Sequence, residues 1–294
     1  LFDTDRRENG MISFNCPTRG TQEGFGFSCC EVIMHGDYAW QHANRAWLKE
    51  RMAGMNHTLM GFESFTREDG LVVKTPGWNF IDWVPRWTKI SGGEGGTPIG
   101  GDSERPNAEI NLQYLYALRS AVKAEEALGE TTLAAHWHAR ADRLSTAIKN
   151  VFWMSERSLF ASDAAHRNFS EHAQCLALMC DVVTGEEAER CFKALAEAPD
   201  LDRSTIYYKH YLFETFFKFR RADLFFKNLG FWKDCVNWGL STILENPWID
   251  SRSDCHGWGS HPLWHLHTSV AGVKSAAPRY SKVLVAPQPG HLKF

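Results

Sequence analysis

The densest collection of reactive side chains lies in Ser241–Ser260, STILENPWIDSRSDCHGWGS. It sets Glu245, Asp250 and Asp254 beside His256, Trp248 and Trp258 between two helical stretches. A carboxyl group can protonate a leaving oxygen or activate water, and an imidazole can bond hydroxyl groups. An indole face suits the apolar C–H face of a pyranose. Together these are the residue types of acid–base cleavage of a sugar acetal, in which two carboxyl groups flank the bond. When one of them activates water, the pair stand about 6.5–9.5 Å apart. A polar surface loop with a helix-capping Asp or Ser accounts for the same residues, and both readings stay open at this point.

Two further windows carry carboxylates in unusual company. In Thr75–Pro85, TPGWNFIDWVP, Asp82 is flanked by Phe80, Ile81 and Trp83 and lies close to Trp78. Burying a carboxylate without a partner is expensive, so Asp82 is either paired or functional. In Phe169–Gln174, FSEHAQ, Ser170 has the position of a helix cap and Glu171 that of a first-turn acid, so a purely structural role is sufficient. The 13 histidines scatter. His265 and His267 are too closely spaced on a helix to face one ligand, and no HExxH or similar spacing is present. Neither a metal nor a cofactor is therefore expected, and the lack of a GxSxG elbow argues against a serine hydrolase. The eight cysteines form no CxxC pair, and buried free thiols are the expectation.

These windows must be held by the elements between them. Residues 28–60 read as one helix, with Val32, Ile33, Tyr38, Trp40, Trp47 and Leu48 at helical spacings. Gly70–Pro106 reads as a long irregular stretch whose run Gly92–Gly96 fits a flexible surface loop and not a phosphate loop. Beyond Asn107 helices dominate: 107–129, 131–153, 170–183, a helix opened by a capping box at Thr184–Glu187, 204–219, 221–240 and 261–273. The 204–219 segment is apolar nearly all round and should be buried on every side, whereas 221–240 is amphipathic and should lie outside it. Such alternation suits a double ring of helices, as it also suits a bundle or solenoid. Val283–Val285 reads as a strand. A formal charge of −3 gives no basic surface for nucleic acid, and no apolar run is long enough for membrane insertion.

In order along nearly the whole chain, the segments PGWNFIDWVP (76–85), FSEHAQCLAL (169–178), STIYYKHYLFETFFKF (204–219) and GLSTILE (239–245) through SDCHGWGS (253–260) to Ala271-Gly272-Val273 resemble the α-L-rhamnosidase family of glycoside hydrolases. The resemblance implies an all-α (α/α)6 six-hairpin barrel, partial, over residues 1–277, with 278–294 opening a C-terminal β-domain. It implies an inverting enzyme that releases terminal α-L-rhamnose from a glycan or glycoside. In that family a Glu in a Thr-x-x-Glu setting is the general base, which here is Glu245. His256 would contact sugar hydroxyls, and Asp82 with Trp83 would help hold the rhamnose ring. Trp78 and Trp258 would add walls to the site. Nothing in residues 1–27 matches the family's acid segment, so the general acid is expected ahead of Leu1. Three other readings compete: a six-hairpin glycosidase for another sugar, a sugar-binding barrel without turnover, and a helical scaffold for protein partners.

Overall fold

The computed structural model describes residues 2–17, 19–20, 22–42, 44–87, 95–101 and 104–292. Within them the first helical stretch is two helices, α1 (Phe25–Gln41) and α2 (Arg45–Gly61). The single helix expected over 28–60 is broken because Asn44 acts as an N-cap, its side chain accepting from the Trp47 N–H. The next hairpin pairs α3 (Ala108–Leu128) with α4 (Thr131–Phe152). Asn107 caps α3 through the Ile110 N–H, and Gly129, at φ 78°, ends it in the left-handed region that glycine tolerates. Trp137, Ala141, Leu144 and Ile148 form one buried stripe on α4, whereas α3 is buried almost all round.

A short hairpin of β1 (Trp153–Met154) and β2 (Leu159–Phe160) leads to α5 (Glu171–Met179), then α6 (Gly185–Glu197). Ser170 caps α5 as its position suggested, its oxygen taking the Ala173 N–H. The capping box expected at α6 does not form, since Thr184 makes no side-chain cap bond. Next come α7 (Lys209–Lys218), α8 (Ala222–Lys227), α9 (Gly230–Asn237) and α10 (His261–His265). Helix α7 is shorter than expected, because residues 204–208 are irregular and serve the site instead. The outer stretch 221–240 is two short helices. The chain ends in an antiparallel hairpin of β3 (Val273–Ala277) and β4 (Lys282–Val285), so the expected division at 277/278 falls at its turn.

The packing order explains the alternation read from sequence. Helix α1 packs on α3, α3 on α5, α5 on α7 and α7 on α10, while β3 and residues 278–280 return to α1. Helices α2, α4 and α6 each back onto an inner helix. This is an inner ring with an outer coat, and the fold is the all-α hairpin architecture expected. Its core runs continuously from Phe25 and Leu59 through Tyr114 and Leu176 to Phe213 and Phe225. The six cysteines at 29, 30, 175, 180, 191 and 235 are partly or wholly buried free thiols, whereas Cys255 is exposed, contrary to expectation. Among the described residues no helix is long and apolar enough to cross a membrane.

Glu171 gives this frame a pH dependence. Burial raises the pKa of its carboxyl, but Lys209, Arg203 and Ser204 outweigh it and hold the value below the usual range. Arg203 donates to Oε1 at 2.8 Å, and Ser204 donates its N–H and hydroxyl to Oε2 at 2.8 and 2.7 Å. A depressed folded-state value stabilises the fold above the ordinary carboxylate range, and that stability is lost as pH falls through the folded value. Glu171→Gln should therefore melt below the parent at pH 7. The gap in melting temperature should narrow as pH drops below about 4.

Candidate functional site

Residues 243–245 and 253–256 run side by side and hold the reactive loop. The Glu245 N–H donates to Ser253 O at 2.9 Å, and the His256 N–H to Ile243 O at 2.8 Å. Thr242 Oγ1 donates to Asp254 O, tying the start of the loop to its return. Against this loop lies a cavity of about 370 Å³. Glu245, Arg252, His256 and Trp258 form one wall, Trp78, Phe80 and Trp83 a second, and Phe14, Asn15, Gln22 and Phe27 a third. Five of the six residues singled out from sequence thus converge on one cavity, across 180 positions of chain. Asp250 and Trp248 do not line it, and both are exposed.

The aromatic walls are interlocked. The rings of Phe80 and Trp258 are parallel within 2° at 5.9 Å, and Phe80 meets Trp83 edge-on at 5.0 Å. Trp78 stands 5.9 Å from Trp83, and His256 4.2 Å from Trp258. Two of the indoles are pinned by their N–H groups, Trp78 to Gly95 O at 2.9 Å and Trp258 to Glu245 O at 3.0 Å. The buried Trp83 Nε1 bonds to no described residue. Broad apolar faces with a few fixed polar atoms are the usual make-up of a small-ligand site.

Glu245 is only 2% exposed, yet it is charge-compensated. Arg252 grips it with both arms of its fork, Nε to Oε2 at 3.1 Å and a terminal nitrogen to Oε1. That pairing orients both carboxylate oxygens and raises the guanidinium's own pKa. His256 is pushed the other way: partial burial lowers its pKa, with Glu245 opposing and Arg252 adding to the shift. At neutral pH it is an uncharged imidazole, able to donate at one nitrogen and accept at the other.

Asp82 is placed differently from the expectation. It is 0% exposed and is not part of the cavity wall. Its Oδ2 takes His172 Nε2 at 2.8 Å and the Thr205 N–H at 2.6 Å. Its Oδ1 takes the Thr205 hydroxyl and the Trp83 N–H, the latter at 3.0 Å. With these bonds made, Asp82 fixes the peptide that carries Trp83 and ties it to α5 and to residues 204–208. Of the two outcomes open to it in sequence, it is paired.

The glycine run has a related role. Residues 92–94 lie outside the described residues, but Gly95–Pro98 are buried and not a surface loop. Gly96 O accepts from the Ile81 and Asp82 N–H groups at 2.9 and 3.2 Å. Gly96 has φ 72°, and a Cβ there would lie 2.3 Å from the Phe80 ring. Only glycine lets this brace approach the aromatic wall so closely.

Sequence reasoning missed Arg252, Phe80 and the third wall. Arg252 lay inside the best window, where an arginine seven residues from a candidate base was the available signal. Phe80 alternates with Trp78 along an extended segment, so the period of two put both on one side. Phe14 and Asn15 carry no sequence signal of their own.

The profile of the bacterial α-L-rhamnosidase six-hairpin glycosidase domain matches residues 2–270, and the chain belongs to that family. Solved structures agree in fold. A GH78-family rhamnosidase of Bacillus sp. GL1 superposes with a TM-score of 0.82 at 24% identity, covering 98% of this chain and 30% of that one. The rhamnosidase from Klebsiella oxytoca with rhamnose bound gives 0.71 at 21% identity, over 88% of this chain and 51% of that one. The Streptomyces avermitilis α-L-rhamnosidase complexed with L-rhamnose gives 0.73 at 16% identity, over 98% and 28%. The chain thus spans from about a quarter to a half of these proteins. No curated protein matches it.

Proposed function

We propose that the chain carries the catalytic barrel of an inverting glycoside hydrolase that releases terminal α-L-rhamnose, with Glu245 as general base. The observation that supports this most strongly is the single buried carboxylate, held by Arg252, on the wall of an aromatic cavity in a chain of this family. A carboxylate oriented in this way can take a proton from water as that water attacks the anomeric carbon. Trp83 and Trp258 then cover the apolar face of the ring, and His256 bonds its hydroxyls. Asp82 is a positioning residue that acts through Trp83. The Klebsiella and Streptomyces rhamnosidases hold rhamnose, which supports the choice of sugar.

Inversion also requires a proton donor. Glu245 is the one carboxylate on the cavity wall among the described residues, so the acid comes from elsewhere. The family resemblance supports a donor ahead of Leu1. Glu8 and Glu23 line an open depression of about 740 Å³ that shares Gln22 and Trp78 with the cavity. A β-domain beginning in residues 278–294 is supported by the exposed apolar side chains of Val283, Leu284 and Val285.

One observation favours a second reading, a barrel that binds sugar without turnover: the third wall offers the amides of Asn15 and Gln22, not a carboxyl group. A panel of aryl glycosides separates the readings. Cleavage of the α-L-rhamnoside above all others is expected. Cleavage of a different sugar would replace the substrate, and rhamnose binding with no turnover would favour the second reading. Trp258→Ala should raise KM about tenfold with a smaller effect on kcat, as expected for a wall residue that contributes about 1–2 kcal/mol of ligand contact. An unchanged KM would remove Trp258 from the site.

A further inference from the structure

Where α7 meets α10, three histidines come together that the sequence kept apart. His210 opens α7, and His261 with His265 stand one turn apart on α10, the spacing that puts two side chains on one helix face. One ligand nitrogen from each lies within 4.8 Å of the other two. The ring centroids are 5.2–5.6 Å apart. The expectation of no metal-ligating set considered only spacings along one segment. It missed a pairing of two helices brought together by the ring.

We propose that His210, His261 and His265 form a structural site for a transition-metal dication of the zinc type, with the Glu214 carboxylate beside it. The hydrogen bonding has the form that such a site needs. His261 Nε2 lies 2.9 Å from Ile206 O and donates to it, which fixes the tautomer and leaves Nδ1 with a free lone pair. That Nδ1 is buried with no partner, as is Nδ1 of His210. His265 is 0% exposed, and neither of its ring nitrogens makes a hydrogen bond. Buried polar atoms left without partners are rare and call for an explanation, and three converging imidazole nitrogens, one from each ring, ask for a cation.

The protonation state agrees. Burial holds His261 down to about 3 and His265 to about 2, and it lowers His210 as well. All three rings are neutral at pH 7, the form that ligates. Glu214 Oε1 lies 3.5 Å from His265 Nδ1 and supplies the negative charge that a dication would meet. Glu214 also lines a cavity of about 160 Å³ that provides an approach. The surroundings are otherwise aromatic, with Phe213 and Trp232 each within 5.5 Å of the His261 ring, a setting that excludes water. A zinc ion at about 2.0–2.1 Å from each nitrogen would draw the three to roughly 3.4 Å apart, a closure that side-chain rotation can supply. The ion would clasp α10 to α7, and so anchor the end of the loop that bears His256 and Trp258. This inference is independent of the sugar the enzyme takes.

The test uses the full chain, freed of metal with a chelator and titrated with Co²⁺. Wild type should develop the visible absorption of four-coordinate cobalt at one equivalent, bleached by Zn²⁺. Zinc in excess should raise the melting temperature by about 5 °C. His210 is only half-buried at a helix start, so His210→Gln should fold with unchanged metal-free melting, yet lose the bands and bind zinc at least 100-fold more weakly. Absence of cobalt bands together with no zinc-induced shift in wild type would overturn the site and leave three neutral packing histidines. Bands that persist unchanged in His210→Gln would overturn it equally, by placing the metal elsewhere.

Discussion

Glu245→Gln should lower kcat on an aryl α-L-rhamnoside by about 10³-fold or more, with KM changed little. The amide keeps the shape of the side chain, but it cannot accept a proton from water. Removing a general base costs about 10²–10⁴ in rate. The upper part of that range is expected because no second carboxylate on the wall can substitute among the described residues. Folding should survive, since the amide oxygen can still accept one bond from Arg252, whose own side chain is 69% exposed and can turn to water. The reading fails if the variant retains more than about a tenth of the parental kcat, because the rate would then not depend on this carboxylate.

Asp82→Ala should be the most destabilising single change near the site. It strands His172 in a fully buried position and leaves the Thr205 N–H and hydroxyl without their acceptor. Each buried donor left without its acceptor costs about 1–3 kcal/mol, so about 3–5 kcal/mol is expected in all. In a chain of this size that is a fall of roughly 10 °C in melting temperature. Thermal unfolding followed by circular dichroism reads the effect directly. Thr205→Val keeps the main-chain donor and should cost much less, about 1 kcal/mol. If Asp82→Ala melts with the parent, the carboxylate is not the pin described here. Were its main role to touch sugar, binding would fall with melting unchanged.

Much of this was legible in the sequence, for identifiable reasons. The inner and outer helices differ in how much of their circumference is apolar, and α7 and α4 show that contrast in the chain itself. Trp78, Trp83, Glu245, His256 and Trp258 stood out because large aromatics and carboxylates sat among glycines and prolines, where packing alone does not need them. What the sequence hid was direction. Asp82 and Trp83 are neighbours, but their side chains part: Trp83 lines the cavity, whereas Asp82 is buried against His172 and Thr205. The break between α1 and α2 turned on one Asn cap within a helical pattern. Arg252, the third wall and the histidine cluster exist only through contacts between distant segments, which no spacing within one segment reports.

Whether rhamnose sits in the aromatic cavity around Glu245 is decided by diffraction from crystals of Glu245→Gln soaked with an aryl α-L-rhamnoside. Density for the sugar ring is expected against Trp83 and Trp258, with His256 at a hydroxyl and the anomeric carbon facing residue 245. Density for the sugar only in the open depression beside Glu8 and Glu23, with the aromatic cavity empty, would contradict it.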